Sequence, residues 1–348
     1  MKPKKIQTRE LKPSAWNRTR LRKLLAAMQG KRILVIGDVG VDRYTMGTVE
    51  RISPEAPVPI VLVEEEKLKL GLAANVADNV RTLGAEPWLT GVVGADRTAD
   101  DFRGLLRASG IEPAFLIEDT SRRTVLKERI VSERQQLLRV DYESQHPISK
   151  QIEKRLLSQI KGLTAEADAV ILEDYAKGML SPGLTAAIFA AARSAGRPVA
   201  VDPNMKTAVE MYRGAFVLTP NTKEAEKLAG MPIRDEESML EAGAKILKAA
   251  KSDHVVITRG KDGMAIFSAG SAKVTLIPTY AREVYDVSGA GDTVISVLTL
   301  ALAAGASIED AAVLGNLAAG VEVGKRGTAT VTPDEILAAM EFFSQLAG

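Results

Sequence analysis

Short apolar runs alternate with amphipathic stretches along most of this chain. The first run, Arg32–Ile36, stops at Gly37-Asp38. Similar runs at Pro87–Val93, Ala169–Leu172, Val199–Val201, Ala215–Thr219 and Val255–Thr258 read as strands. Between them, apolar residues recur at helical spacing over Gly71–Leu83, Ala99–Ser109, Leu184–Ala195, Lys223–Leu228, Thr293–Ala303 and Ile308–Val323. Continuous apolar strands alternating with helices predict an α/β fold, with a mainly parallel central sheet covered by helices on both faces.

Two segments break the alternation. Tyr44–Val63 holds the run Pro54-Glu55-Ala56-Pro57-Val58-Pro59, and Ala114–Tyr142 carries strand-like alternation over Thr124–Val131 and Gln136–Asp141. Together they predict a few antiparallel strands projecting as a small β-sheet lid, either over a site or as a dimer surface. The expected organisation is a basic arm and helix over residues 1–30, then one domain over 31–348, with lid segments at about 44–63 and 114–142.

The composition fits this picture. A chain of 348 residues buries about three quarters of its unfolded surface. The formal net charge of +2 creates no field that demands nucleic acid or membrane, and with no cysteine there is no disulfide framework or thiolate metal site. Charge concentrates at the N-terminus, in Lys2, Lys4, Lys5, Arg9, Lys12, Arg18, Arg20, Arg22 and Lys23. That run reads as a solvated arm leading into a helix near Asn17–Gln29. Nucleic-acid binding would need stacking aromatics beside the charges, and only Trp16 is there. The segment lacks the apolar core of a secretory signal, and no apolar run reaches the roughly 18 to 20 residues of a membrane span. A soluble, cytoplasmic protein is expected.

The chemistry concentrates in Asp286-Val287-Ser288-Gly289-Ala290-Gly291-Asp292-Thr293, which runs straight into an apolar helix. Small residues before a helix let several amides point at one anion, and the helix N-terminus adds partial positive charge. A carboxylate beside a bound phosphate is repelled by it, so Asp292 there suits a base that accepts a proton from an attacking hydroxyl. A plain helix cap after a glycine turn is the competing reading. The string is not a Walker loop, and Gly37-Asp38-Val39-Gly40-Val41-Asp42 does not complete a dinucleotide fingerprint. His146 and His254 have no zinc-ligand spacing.

The string resembles the C-terminal motif D-[TA]-x-G-A-G-D of the PfkB/ribokinase family of carbohydrate kinases, with Val287 where Thr or Ala is commoner. The resemblance runs from about residue 31 to 340 and implies a ribokinase-like fold. It assigns Asp292 as base and the Gly289, Ala290 and Gly291 amides as an anion hole. Gly37-Asp38 with Asp42 is similar to the first sugar-binding turn, and Gly71–Ala77 to the second, in which Asn75 contacts a hydroxyl. Asn221 to Glu224 resembles the N-x-x-E motif that handles Mg2+, through water, and the nucleotide phosphates. A capping box has the same spacing, so both readings stand. Asp38 and Asn75, taken alone, read more often as turn or cap residues. Thr258-Arg259-Gly260-Lys261-Asp262-Gly263 looks like the border of the nucleotide site, and Asn316 joins it. ATP and Mg2+ are implied, with a monovalent cation such as K+ near the Asp286 loop, and a homodimer formed through the lid.

Within the family, further segments resemble the branch that phosphorylates D-glycero-β-D-manno-heptose 7-phosphate. They are Gly37–Val39 with Asp42–Tyr44, Arg51–Pro59, Gln135–Asp141, Asp174–Gly178, Glu283–Val287 and Gly324–Thr328. The implied product is the 1,7-bisphosphate on the way to ADP-heptose and the lipopolysaccharide core. A phosphorylated sugar needs a cationic anchor, for which Lys177, Arg139, Lys127 and Arg43 are candidates. Leu72 departs from the branch, where a second glycine is usual, and Asp202-Pro203-Asn204-Met205-Lys206 replaces an Asp-Pro-Lys pattern. Some relatives carry a fused nucleotidyltransferase with an H-x-G-H motif; none is present, so that activity is expected from another protein. Other family kinases, acting on ribose, fructose or a sugar phosphate, share the Asp292 and Asn221 motifs, and an inactive sugar sensor is the third reading.

Overall fold

The computed structural model describes residues 7–132, 135–325 and 327–346; Lys2, Lys4, Lys5 and Arg326 lie outside them. The strands are β1 (Gln7–Glu10), β2 (Arg32–Gly37), β3 (Val39–Ile52), β4 (Pro59–Leu72), β5 (Glu86–Val93), β6 (Leu116–Glu118) and β7 (Val125–Ser132). They continue as β8 (Gln135–Tyr142), β9 (Ala169–Glu173), β10 (Val199–Asp202), β11 (Val217–Leu218), β12 (His254–Thr258), β13 (Met264–Ser268) and β14 (Lys273–Ile277). The helices are α1 (Arg18–Ala27), α2 (Ala73–Thr82), α3 (Arg97–Ala108), α4 (Lys150–Glu166) and α5 (Pro182–Ser194). After them come α6 (Thr222–Ala229), α7 (Glu236–Ala250), α8 (Ala290–Ala303), α9 (Ile308–Glu322) and α10 (Pro333–Leu346).

One sheet runs in the order β1-β14-β13-β12-β11-β10-β9-β2-β5-β6, parallel throughout except for β13, which is antiparallel to both neighbours. Alternate side chains of each central strand enter opposite cores. Ile33 and Val35 face α1, α2, α8 and α9, whereas Leu34 and Ile36 face α4, α5 and α7. That two-sided burial is why the strands read as unbroken apolar runs.

The lid is a second sheet, β4-β3-β7-β8. Its extent corrects the sequence expectation at three points. It begins at Val39 and returns at Leu72, because β3 and β4 pair from Val39↔Leu72 to Ile52↔Pro59. Residues 114–124 are outside it, since β6 extends the main sheet beside β5. The lid is also not wholly antiparallel, as β3 and β7 run parallel. The helix expected over Gly71–Leu83 starts at Ala73, since Gly71 and Leu72 end β4.

From Gln7 on, the N-terminal segment is likewise built into the domain rather than standing off as a solvated arm. β1 adds to the sheet edge on β14, α1 is capped by Asn17, and Leu21, Leu24 and Leu25 enter the core. Arg20 pairs with Asp310 at 2.8 Å and Arg22 with Glu341 at 2.6 Å, so these charges meet acidic partners on α9 and α10. No helix of the described residues is long and apolar enough to cross a membrane.

Candidate active site

Asp38, Glu173 and Asp202 sit at the carboxyl ends of β2, β9 and β10, where open α/β sheets bind ligands. α8 points its N-terminus at the same place. Gly289 precedes it with φ +99°, a conformation that favours glycine, and a Cβ there would stand 3.2 Å from Glu322 Oε1. Thr293 N–H is bonded to the Gly289 carbonyl, and the amides of the turn before it are those a helix leaves without an intrahelical acceptor.

Asp292 lies in that first turn and accepts two hydrogen bonds. Asn75 Nδ2 donates to Oδ2 at 2.6 Å, and the Tyr175 hydroxyl donates to Oδ1 at 3.0 Å. Burial raises the Asp292 carboxyl above its ordinary value, and the Asn75 and Tyr175 hydrogen bonds and the charge of Lys127 pull it back. Asn75 is thus a hydrogen-bond partner of Asp292. Tyr175 was not singled out from the sequence.

Asp38 is buried, and its Oδ2 accepts the amides of Tyr175 at 3.3 Å and Lys177 at 3.0 Å, fastening the loop that carries Tyr175. Burial pushes its carboxyl up to about 6. Asp42 accepts Arg129 Nη1 at 2.8 Å, and Gly71 lies against it, a Cβ there meeting its carboxylate carbon at 3.2 Å. Leu72 adopts φ +58° and Ala176 φ +54°. Leu72 therefore keeps a backbone that glycine would favour, and strained residues of this kind gather at functional sites.

The lid turns one face to this centre. Register places Lys69, Asp42, Lys127 and Asp141 in one row, and Tyr44, Arg129 and Arg139 in the next on the same face. Arg43 is on the opposite face, which removes it as an anchor. Arg139 is held by Asp141 at 2.9 Å and Lys177 by Glu143 at 2.5 Å. Lys127 has no carboxylate partner among the described residues; its Nζ stands 5.5 Å over the Tyr175 ring, and desolvation lowers its pKa.

Behind α8 lies a mostly apolar cavity of about 510 Å³, lined by Thr258, Gly260, Gly263, Ala290, Gly291 and Asn316 among others. Asn316 uses its amide on the Pro278 carbonyl at 2.6 Å. Arg259 is a correction: its guanidinium turns back onto the Asp262 carbonyl and does not line the cavity. Asn221 and Glu224 form the capping box of α6, with Asn221 N–H to Glu224 Oε2 at 2.9 Å. Glu224 is close enough to add to the rise of the Asp202 carboxyl.

Sequence reading missed Glu173 and Asp202 as site residues. Each offers an oxygen that, with one from Asp292, lies within 4.8 Å of the other two. The usable signal was an acidic residue closing an apolar parallel strand.

Residues 31–335 match the pfkB family carbohydrate kinase profile. The chain is 45% identical over 309 residues to the bifunctional protein HldE of Geobacter sulfurreducens, covering 89% of this chain and 63% of that protein. It is 42% identical over 325 residues to HldE of Geobacter metallireducens, covering 93% and 66%. The chain thus spans somewhat less than two thirds of the length of these relatives. Among solved structures it is similar to Arabidopsis thaliana ribokinase complexed with ribose and ATP, with a TM-score of 0.71 and 21% identity over 90% of this chain and 100% of that one. Escherichia coli phosphofructokinase-2 in complex with potassium gives a TM-score of 0.75 and 18% identity, over 91% and 100%. These two likenesses carry the fold, which is ribokinase-like. With the family profile spanning most of the residues and HldE proteins this similar, the chain belongs to the PfkB family of carbohydrate kinases.

Proposed function

We propose that this domain transfers the γ-phosphate of ATP to the anomeric hydroxyl of D-glycero-β-D-manno-heptose 7-phosphate, in the cytoplasm, giving the 1,7-bisphosphate used for ADP-heptose and lipopolysaccharide core synthesis. The observation that carries the kinase reading is Asp292, held by Asn75 and Tyr175 at the N-terminus of α8, between the apolar cavity and the basic lid face. Asp292 takes the proton of the attacking hydroxyl as its oxygen bonds to the γ-phosphorus. The bond from that phosphorus to the bridging oxygen breaks, and ADP leaves with the electron pair. Gly289, Ala290 and Gly291 supply amides to the moving phosphoryl group.

Asp38, Asp42, Gly71 and Asn75 form the sugar side, and Thr258, Gly260, Gly263 and Asn316 the nucleotide side. Lys127 is the best-placed anchor for the far phosphate of the sugar, with Arg139 and Lys177 beside it, each already tied to a carboxylate. Mg2+ fits the acidic side of the centre, where Glu224 stands near Asp202, held by Glu224 through water; its chemistry is neutralisation of phosphate charge. K+ fits the Asp286 loop beside Gly289, where the buried carboxylate of Glu322 lies close by. Exposed Ile52, Leu62 and Leu138 on the lid support a homodimer.

The name HldE favours heptose within the family. ADP release by the purified protein against a panel of sugars and sugar phosphates tests both levels. Preference for heptose 7-phosphate is the expected result. Faster turnover of ribose or fructose would overturn the substrate, and no stimulation by any sugar would overturn the kinase.

A further inference from the structure

Three consecutive amides of the loop after β9 point at two buried carboxylates. Asp38 Oδ2 accepts those of Tyr175 and Lys177, and Asp174 Oδ1 accepts that of Ala176 at 2.8 Å. This double capture holds Ala176 at φ +54°, a backbone that its Cβ disfavours. Strain of that kind persists only where the surroundings impose it. Its consequence is the direction of Tyr175, whose hydroxyl reaches Asp292 Oδ1 at 3.0 Å.

Asp174 has a second set of partners behind the site. Its Oδ2 accepts the hydroxyls of Tyr212 and Thr207, each at 2.6 Å. Tyr212 ends the short 3-10 turn Val209–Tyr212 and is wholly buried. Burial and the Asp174 charge raise its hydroxyl pKa, so it stays protonated and donates. The same oxygen accepts the Asn204 amide at 2.9 Å, and Asn204 Nδ2 donates to the Asp174 carbonyl at 3.2 Å. Asn204 belongs to the segment that departs from the Asp-Pro-Lys pattern, and here it ties the loop after β10 to the loop after β9. Tyr212 does not line the cavity behind α8.

We infer that Tyr212 is a positioning residue, which through Asp174 fixes the turn that aims Tyr175 at Asp292. This role rests on the reading of Asp292 as the base of a sugar kinase. A buried carboxylate that loses a donor is left under-satisfied, and the loop carrying Asp174 relieves this only by shifting. Such a shift turns Tyr175 away from Asp292 while the nucleotide side keeps its own residues. Misplacing a group at the reacting centre by about 1 Å costs on the order of 100-fold. The loss should therefore fall on kcat, with the KM for ATP unmoved.

ADP release by Tyr212→Phe, Tyr175→Phe and the double variant of the full chain tests this, with the acceptor that the sugar panel ranks first. Tyr212→Phe should lower kcat about tenfold, and in the Tyr175→Phe background it should add less than about twofold. Additive losses would mean that Tyr212 acts elsewhere, and wild-type kcat in Tyr212→Phe would mean that it only fills the core; either overturns the role. Thermal unfolding shows whether each variant folds. Should Tyr212→Phe not fold, Thr207→Val removes the other hydroxyl on Asp174 and must show the same coupling to Tyr175. Hydrogen exchange of the Tyr175, Ala176 and Lys177 amides supplies a readout without turnover. About tenfold faster exchange in Tyr212→Phe is expected, and unchanged protection overturns the role. A wild type that phosphorylates no sugar would sink the kinase reading alone, leaving the exchange to decide whether Tyr212 holds the turn.

Discussion

Asn75, in the first turn of α2, donates its side-chain amide to Asp292, in the first turn of α8, across 2.6 Å and 217 residues of chain. The bond stabilises the ionised carboxylate that burial opposes. A hydrogen bond to a charged group contributes about 1.5–3 kcal/mol, so Asn75→Ala should lower kcat by one to two orders of magnitude. Because the Asn75 bond lowers the Asp292 pKa, its loss should move the acid limb of the kcat profile to higher pH. Tyr175→Phe should shift it the same way. An acid limb that stays put in both variants would separate these residues from the base.

Asp292 itself should be indispensable. A positioned general base contributes about 10²- to 10⁴-fold, so Asp292→Asn should lose at least the lower figure in kcat while ATP binding, measured by calorimetry, persists. Residual turnover near that of the wild type would remove Asp292 from the mechanism.

Lys127 is half-buried and faces Asp42 and Tyr175 without a carboxylate partner among the described residues. If it anchors the far phosphate, Lys127→Ala should reduce kcat/KM for the sugar phosphate by roughly 30- to 100-fold, the equivalent of losing a charge-assisted hydrogen bond. The KM for ATP should not move. Equal losses on phosphorylated and unphosphorylated sugars would argue for a packing role instead.

Asp38 carries a pH signature in stability. Its carboxyl rises from 3.8 to about 6 in the folded protein through burial. Between those values the folded state holds more proton than the unfolded one, so this group's contribution to stability is lost as pH rises through the window. The loss amounts to about 3 kcal/mol. Asp38→Asn can still accept the Tyr175 and Lys177 amides and has no charge to desolvate. Its stability relative to wild type, from urea unfolding, should therefore improve between pH 4 and pH 7. A constant difference across that range would show that Asp38 is not strained by its burial.

The lid leaves Ile52, Leu62 and Leu138 more than half exposed. Leu62→Lys with Leu138→Lys should turn a dimer into a monomer in sedimentation velocity, since burying a charge in an apolar interface is costly. A wild-type protein that sediments as a monomer would rule out the lid as a dimer surface.

Much of the fold was legible because buried parallel strands and amphipathic helices leave opposite patterns. The strand at Arg32–Ile36 and the helix over Thr293–Ala303 are both found close to where periodicity puts them. The lid was legible as an interruption but not in its limits. Val39–Asp42 and Leu70–Leu72 are buried at every position, so they lose the alternation of the lid where lid and main sheet meet. β1 was hidden because a short, mostly exposed edge strand has no apolar pattern, only a partner in β14.

The sequence by itself determined that small residues and Asp292 open a helix, since glycine conformations and helix-end polarity are local properties. The kinship of Asp38, Asn75 and the Asn221–Glu224 pair was visible for the same reason. Which groups Asp292 touches was decided only by tertiary structure. Glu173 and Tyr175 reach it from the end of β9 and Asp202 from the end of β10, brought together by parallel crossovers that no local pattern encodes. The same holds for the cations of the lid: register decides that Lys127 faces the centre and Arg43 faces away, because one residue of shift in a strand reverses the face.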